Sequence, residues 1–459
     1  MISTRKIILP LGLVGAVSTL TDQDALARSN KDIKEIKKPN IVMLFVDDLG
    51  WADLGYQNPK FDTPNINKLK EDGIYFSRAY NSTATSSPSR AALLTGKEAL
   101  RCGFVRHIYD TGEGEFETLA SDPANMRSRG WLPLEEITYA ERLKKFGYYN
   151  MFVGKWHLGP QDYFPTKQGF DATYGTAIAG HPKSYYARPD YFHKIKPFES
   201  TDPNEYLTDR ISKGAVEFIE NYNKRKPFLL NVWFYGVHSP LIGREDLYNK
   251  YLEQGYHETE ANYLAMVAAL DIAVGNIIKA IEEKGISDET IIMFSSDQGG
   301  AFSNAPLSGG KMYNSLGEGG CRVPLIFYYP GMPRMGTTYD KPVGNIDVFP
   351  TFVELASGKK CKDTQISGES LIPIFKGENP KERSYFLYRS YEDQHAAIIK
   401  GDWKLIKYRS GKLELFNVTN DISEKKDLSD IQPERRDAML KELQAWIDDA
   451  TPKELLSNN

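Results

Sequence analysis

The feature that most constrains the fold is an unbroken apolar run, Asn40 to Val46, that ends abruptly at Asp47-Asp48-Leu49-Gly50. Such a run, without polar alternation, reads as a strand buried on both faces, the kind found in parallel sheets covered by helices. Two adjacent carboxylates at the C-terminal end of a core strand are costly unless a cation or hydrogen-bond donors meet them. That end is also the edge on which α/β sheets bind ligands. Taken alone, the pair reads equally as a solvated Asx-type turn.

The pattern recurs. A strand at 149–153 runs into Gly154-Lys155-Trp156-His157-Leu158-Gly159, one at 228–235 into Gly236-Val237-His238-Ser239-Pro240, and one at 290–295 into Ser296-Asp297-Gln298-Gly299-Gly300. Helical patterns lie between them: 65–72 behind Pro64 and before Gly73, 135–146, 206–223, and a long amphipathic 258–284. A further short strand is read at 74–80. This alternation predicts an α/β fold with a large, doubly wound, parallel or mixed sheet flanked by helices. Its C-terminal edge would gather Asp47, Asp48, Lys155, His157, His238, Asp297 and Gln298. Lys155 and His157, two apart in extended chain, are expected to share a side. Each of these residues alone is an ordinary loop residue; together they describe an anion site built on a metal.

A second constraint is the stretch 82–97, where small hydroxyl residues lead into Pro88 and a short apolar helix pattern. Pro suits a first helical turn, and a group just before it sits over free N–H groups and the positive dipole end. Ser86 and Arg90, four apart, converge on one oxyanion if the helix starts between them; an N-capped surface helix is the plain alternative.

Past Gly358 the texture changes to short alternating segments at 385–388, 396–400, 403–408 and 413–416, with turn signals at Gly401-Asp402 and Ser410-Gly411 and a final amphipathic helix at 433–449. This reads as a small α+β subdomain with an antiparallel sheet. The expected division is 39–358 for the α/β domain and 359–459 for the subdomain.

Residues 1–27 read as a signal peptide: Arg5 and Lys6, then an apolar run from Ile7 to Leu20 too short to span a membrane, then Ala25-Leu26-Ala27 as a cleavage site. The expectation is a periplasmic or secreted protein without stable membrane insertion, with 28–38 as a flexible lead-in. The net charge of −4 gives no nucleic-acid footprint, so an anionic substrate must be drawn by a local cationic site. Three cysteines imply no disulfide framework.

Ser86-Ser87-Pro88-Ser89-Arg90, continued by Thr95-Gly96-Lys97, resembles the signature of the type I, formylglycine-dependent sulfatases of the alkaline phosphatase superfamily. The resemblance extends through Gly154 to Gly159, His238-Ser239-Pro240, Asp297-Gln298-Gly299, Gly309-Gly310-Lys311 and Glu318 to Pro324. It implies a bacterial serine-type carbohydrate sulfatase or arylsulfatase in which Ser86 is oxidised to formylglycine by a radical-type maturase that accepts serine. It implies Ca²⁺ held by Asp47, Asp48, residue 86, Asp297 and Gln298, where Gln298 replaces the commoner Asn but keeps a neutral oxygen. Lys155, Lys311 and Arg90 would then offset charge on the nucleophile and sulfate, His238 would protonate the leaving oxygen, and His157 would help remove a proton.

The implied substrate is a carbohydrate sulfate ester from glycosaminoglycan, mucin or algal polysaccharide. Arg106, His107, His181, Arg389, Tyr391 and His395 are candidates to bind it, on irregular or aromatic-basic stretches. Two alternatives stay open: a metal-dependent phosphatase or phosphodiesterase of the same superfamily using Ser86 directly, and a non-catalytic sulfated-glycan binding protein.

Overall fold

The structure, a computed structural model, describes residues 37–109, 114–118, 126–187, 202–311, 313–390 and 393–456. The signal peptide, the lead-in up to residue 36, the aromatic-basic stretch from 188 and Tyr391 lie outside the described residues.

The main sheet has eight strands: β1 (Asn40–Val46), β2 (Ile74–Phe76), β3 (Tyr149–Gly154), β4 (Ala172–Tyr174), β5 (Phe228–Trp233), β6 (Thr290–Ser296), β7 (Leu325–Tyr328) and β8 (Thr337–Tyr339). Their spatial order is β8-β2-β7-β6-β1-β5-β3-β4. β1 lies at the centre, parallel to β5 and β6, and β3 and β4 continue the parallel run. β7 is antiparallel to both β6 and β2, so the sheet is mixed.

Both faces of β1 are covered, which is why its sequence shows no alternation. Val42, Leu44 and Val46 pack against α4 (Leu207–Asn221) and α5 (Glu258–Glu283), while Ile41, Met43 and Phe45 pack against α2 (Ser86–Thr95), α3 (Tyr139–Lys145) and α6 (Val348–Ser357). The remaining helix beside β2, α1 (Pro64–Asp72), leans on α5. By length and composition α5 could cross a membrane, yet most of it is buried inside the protein. Between Ala261 and Val274 the expected amphipathic stripe is therefore widened to nearly every side, where α4, α1 and the helix Glu245–Glu253 pack on it, while both ends of α5 keep exposed charged residues.

Register carries the sheet's meaning for the site. Val46 pairs with Ser296, Phe45 with Trp233, and Trp233 with Gly154, so the four strands β6, β1, β5 and β3 end within a residue of one another. Backbone bonds then fasten the residues beyond: Asp297 N–H to Val46 O at 3.1 Å, Asp47 N–H to Gly236 O at 3.0 Å, and Lys155 N–H to Trp233 O at 2.8 Å.

Two expected elements change. The strand read at 74–80 is split: Ala79–Tyr80 leaves the main sheet for a three-stranded one with Arg322–Val323 and Val343–Gly344. Arg78 explains the break, since its guanidinium reaches the Gly401 carbonyl at 2.6 Å and Thr419 Oγ1 at 3.1 Å. The helix read at 135–146 begins at Tyr139, because Thr138 and Glu141 form a capping box: Glu141 N–H to Thr138 Oγ1 at 3.2 Å, Thr138 N–H to Glu141 Oε2 at 2.8 Å.

The C-terminal subdomain follows the expected pattern. β9 (Ser384–Tyr388), β10 (Gln394–Lys400), β11 (Trp403–Tyr408) and β12 (Leu413–Asn417) form an antiparallel sheet in chain order, and α7 (Pro433–Ala450) packs on it.

Candidate active site

Helix α2 starts at Ser86, one residue after an extended Thr85 (φ −140°, ψ 144°), and all ten of its residues are buried. Ser86 and Arg90 are therefore both helical and one turn apart on the same face. Ser86 Oγ donates to Asp47 Oδ1 at 3.2 Å and receives Gln298 Nε2 at 3.2 Å. The Arg90 guanidinium lies within 5.4 Å of the Phe45 ring centre and 5.1 Å of the Trp233 ring centre. It bonds Asp297 Oδ2 through Nη2 at 2.9 Å and Nε at 3.1 Å, and Asp47 Oδ1 at 3.3 Å.

Two successive strand residues normally point to opposite faces. Asp48 escapes this by a left-handed backbone (φ 62°), and its N–H donates to Asp297 Oδ1 at 3.1 Å. The carboxylates of Asp47, Asp48 and Asp297 thereby lie within 4.8 Å of one another, all buried, close enough to share one metal ion. Gln298 Nε2 reaches Asp48 Oδ1. The turn that delivers Asp297 and Gln298 needs glycine next, since a Cβ on Gly299 would sit 1.7 Å from the Gly319 carbonyl oxygen.

Four cationic or imidazole groups answer these acids. Lys155 Nζ, fully buried, donates to Asp47 Oδ2 at 2.5 Å. Lys311 Nζ donates to Asp48 Oδ2, and His238 Nε2 lies 3.7 Å from the same oxygen. His157 does not continue an extended chain from Lys155: its φ is 55°, and its Nε2 lies 3.3 Å from the Ile108 carbonyl oxygen. The expected shared side is corrected by that turn; Lys155 serves the carboxylates below while His157 faces a cavity above.

Burial alone would raise the Asp47 carboxyl, but the Lys155 ammonium overrides it, and with His238 and Arg90 holds it down at about 2. Burial likewise works against Asp48, and Lys311 and His238 bring it below its ordinary value. Asp297 is pushed up, by burial and then by the Asp47 charge. Burial, followed by Lys155 and Arg90, drives the His157 imidazole well below its ordinary value, so it stands neutral.

A cavity of about 590 Å³ opens above this cluster. Ser86, Gln298, Lys311, His238 and His157 line it, with His107, His181 and Arg389 as walls. The His181 ring stacks on His238, centres 5.3 Å apart and planes 18° apart. Tyr185 Oη lies 2.7 Å from the carbonyl oxygens of Tyr235 and His238, fixing the loop that carries the imidazole.

Two substrate-binding candidates do not line the cavity. Arg106 is buried, 3.7 Å from Glu117 Oε2 and 5.4 Å from the centre of the Tyr109 ring. His395 belongs to β10, where it meets Tyr388 Oη at 3.3 Å; burial, then Arg409 and Lys407, pushes it down to about 4. Tyr109 and Gly180 do line the cavity without having been singled out. Tyr109 sits in an aperiodic stretch that offers no signal, and Gly180 matters only because a Cβ there would lie 2.6 Å from the His157 ring.

Comparison with known proteins gives the family. The Sulfatase family model matches residues 39–359, and the model described as N-sulphoglucosamine sulphohydrolase, C-terminal, matches 312–451. The chain is 32% identical over 387 residues to N-acetylgalactosamine-6-sulfatase of Mus musculus, covering 80% of this chain and 71% of that protein. A sulfatase of Formosa agariphila is 28% identical over 515 residues, covering 92% and 91%. The crystal structure of Ps i-CgsB in complex with k-i-k-neocarrahexaose superposes with a TM-score of 0.79 at 30% identity, over 91% of this chain and 94% of that one. Matches of this identity and extent mean that the chain belongs to the sulfatase family and is a sulfuric ester hydrolase.

Proposed function

We propose that the chain hydrolyses sulfate esters of carbohydrates, using formylglycine made from Ser86 and a calcium ion held by Asp47, Asp48, Asp297, Gln298 and residue 86. The observation that carries the reading is the buried carboxylate cluster directly beneath Ser86 Oγ, at the floor of an open cavity rimmed by Lys311 and His238.

The donor set fits a hard cation. Among the described residues no hydrogen-bond partner meets the buried Gln298 Oε1, while its Nε2 occupies the space between Asp48 and Ser86. A half-turn of the amide presents that oxygen to the carboxylates, completing an all-oxygen set of the kind Ca²⁺ takes. Bound there, calcium would favour the deprotonated form of a hydroxyl at residue 86. Formylglycine, as its hydrate, offers two hydroxyls on one carbon where serine has one; making it from serine calls for a radical-type maturase that accepts serine.

The chain's own residues supply the rest. Arg90 and Lys155 offset the negative charge of Asp47 and Asp297. Lys311, beside Asp48 and facing the cavity, takes the sulfuryl oxygens. His238, also cavity-lining, gives a proton to the departing sugar oxygen, and the neutral His157 takes one from the residue-86 oxygen. The volume is that of a small-molecule site, and the rings of His107, Tyr109 and His181 suit the faces of a sugar. A relative that acts on an N-acetylgalactosamine 6-sulfate and a neighbour bound to a neocarrahexaose support a carbohydrate substrate. The N-terminal 27 residues are proposed to export the protein to the periplasm or beyond, which N-terminal sequencing of the mature chain tests.

The test is sulfate release from defined sulfated mono- and disaccharides, by protein co-expressed with a serine-accepting maturase, beside Ser86→Ala. Release on one regio-isomer, lost in the variant, is expected. Silence with formylglycine verified at position 86, combined with turnover of phosphate esters, would move the assignment to a phosphatase. Tight binding of sulfated sugars without release would make it a binding protein.

A further inference from the structure

Lys311 ends a loop, Ser308-Gly309-Gly310-Lys311, that has few side chains with which to anchor itself. Its anchor comes from the C-terminal subdomain. Lys404, on β11, is fully buried, with its ammonium 3.0 Å from Glu424 Oε1 and 3.1 Å from Glu318 Oε1. Glu424 Oε2 accepts the Glu318 backbone N–H at 2.7 Å and the Ser308 hydroxyl. The second Glu318 oxygen accepts Tyr80 Oη at 2.8 Å and Arg322 Nη1 at 3.2 Å.

From here the network reaches the site by backbone alone. Gly319 N–H donates to the Ser308 carbonyl at 2.7 Å, and Gly299 N–H, directly after Gln298, donates to the Gly320 carbonyl at 2.9 Å. One buried ammonium thus stands behind both the Lys311 loop and the Asp297-Gln298 turn. Burying a lysine and two glutamates for stability alone is an inefficient choice, because their desolvation consumes most of the attraction. Glu424 also holds a left-handed backbone (φ 50°), strained for a residue with a side chain. Both features fit groups whose placement matters more than their contribution to folding.

We propose that Glu424 and Lys404 are positioning residues, which act from the C-terminal subdomain through Ser308 to set the reach of Lys311 into the cavity. This rests on Lys311 taking the substrate's sulfate, as proposed above, and the test separates the two. The full chain would be studied as wild type, Glu424→Leu, Ser308→Ala, Lys311→Ala and the double variant Lys311→Ala/Glu424→Leu. Two readouts are taken: amide hydrogen exchange at Gly309, Gly310 and Lys311 without substrate, and kcat and KM on the sugar sulfate that wild type turns over.

Glu424→Leu is expected to speed exchange at those three amides, leave β1 unchanged, and lower kcat/KM by about 10–100-fold, the scale of lost outer-shell support. The loss should divide between kcat and KM as it does in Lys311→Ala, and the double variant should fall within about 3-fold of Lys311→Ala, as coupled residues do. Ser308→Ala, which removes one hydroxyl, should show the same local exchange in a chain that folds even where Glu424→Leu does not. Unchanged exchange in Ser308→Ala, or losses that multiply in the double variant, overturn the proposal. Wild-type kcat/KM in Lys311→Ala would instead remove the assigned role of Lys311, with loop exchange still deciding whether Glu424 anchors it.

Discussion

Replacing Lys155 by Met removes a charge from the floor of the site while keeping most of the side-chain volume. Lys155 and Asp47 are both 0% exposed and meet at 2.5 Å, so the substitution strands a carboxylate in the interior. The drop of the Asp47 pKa from 3.8 to about 2 corresponds to about 2.5 kcal/mol of stability above pH 4. Breaking a buried pair and leaving the lone charge costs about 3–5 kcal/mol. Arg90 still faces Asp47 at 3.3 Å, so the lower end, about 3 kcal/mol, is expected.

The sign of the pH dependence is a second handle. In wild type the Asp47 carboxylate stabilises the fold above its unfolded pKa, and this is lost as pH falls through about 2. In the variant Asp47 keeps its burial and loses its strongest counter-charge. Its folded pKa then rises above the unfolded value, and the variant regains stability as the medium is acidified from neutrality. Urea unfolding of the full chain in EDTA, at neutral and mildly acidic pH, measures both. Added calcium should restore part of the loss, because a cation bound only by the folded chain adds to its stability. A loss below about 1 kcal/mol in EDTA, or a pH dependence equal to that of wild type, would refute the reasoning.

Gly299→Ala places a Cβ where the Gly319 carbonyl oxygen is only 1.7 Å away, so the Asp297-Gln298 turn must shift; calcium affinity by calorimetry should fall about 10–100-fold. Asp271, on α5, accepts the N–H groups of Ile66 at 2.8 Å and Asn65 at 3.2 Å and so caps α1 from outside it. Asp271→Ala should lower stability by about 1–3 kcal/mol in urea titrations, with kcat unchanged. His157 is held neutral in the fold but protonates when unfolded, so it costs stability as pH falls below about 6.5. His157→Gln should therefore lose about 2 kcal/mol less than wild type between neutrality and pH 5, besides losing activity.

The strands were legible because each is an apolar run that ends in charge, and their levelled ends follow from parallel pairing. The grouping of Asp47, Lys155, His238, Asp297 and Gln298 was therefore open to sequence reading. What was hidden lies in backbone signs and distant partners. Asp48 and His157 are each followed by Leu-Gly, but the left-handed backbone falls on Asp48 and His157 themselves, two residues before the glycine on which a turn would be sought. The break at Ser77-Arg78 depends on a carbonyl at Gly401, more than three hundred residues away. His395 alternates on a strand as a cavity residue would, but faces Tyr388. Lys404 and Glu424 are charged residues whose burial beside Glu318 depends on partners far off in sequence.

The most direct measurement pairs mass spectrometry of the peptide containing residue 86 with the sulfate-release rate of the same preparation, across preparations matured to different extents. The rate should rise in proportion to the fraction of residue 86 lacking two hydrogens and extrapolate to zero for intact Ser86. Sustained multiple turnover by protein whose Ser86 is intact would contradict the formylglycine chemistry proposed for this site.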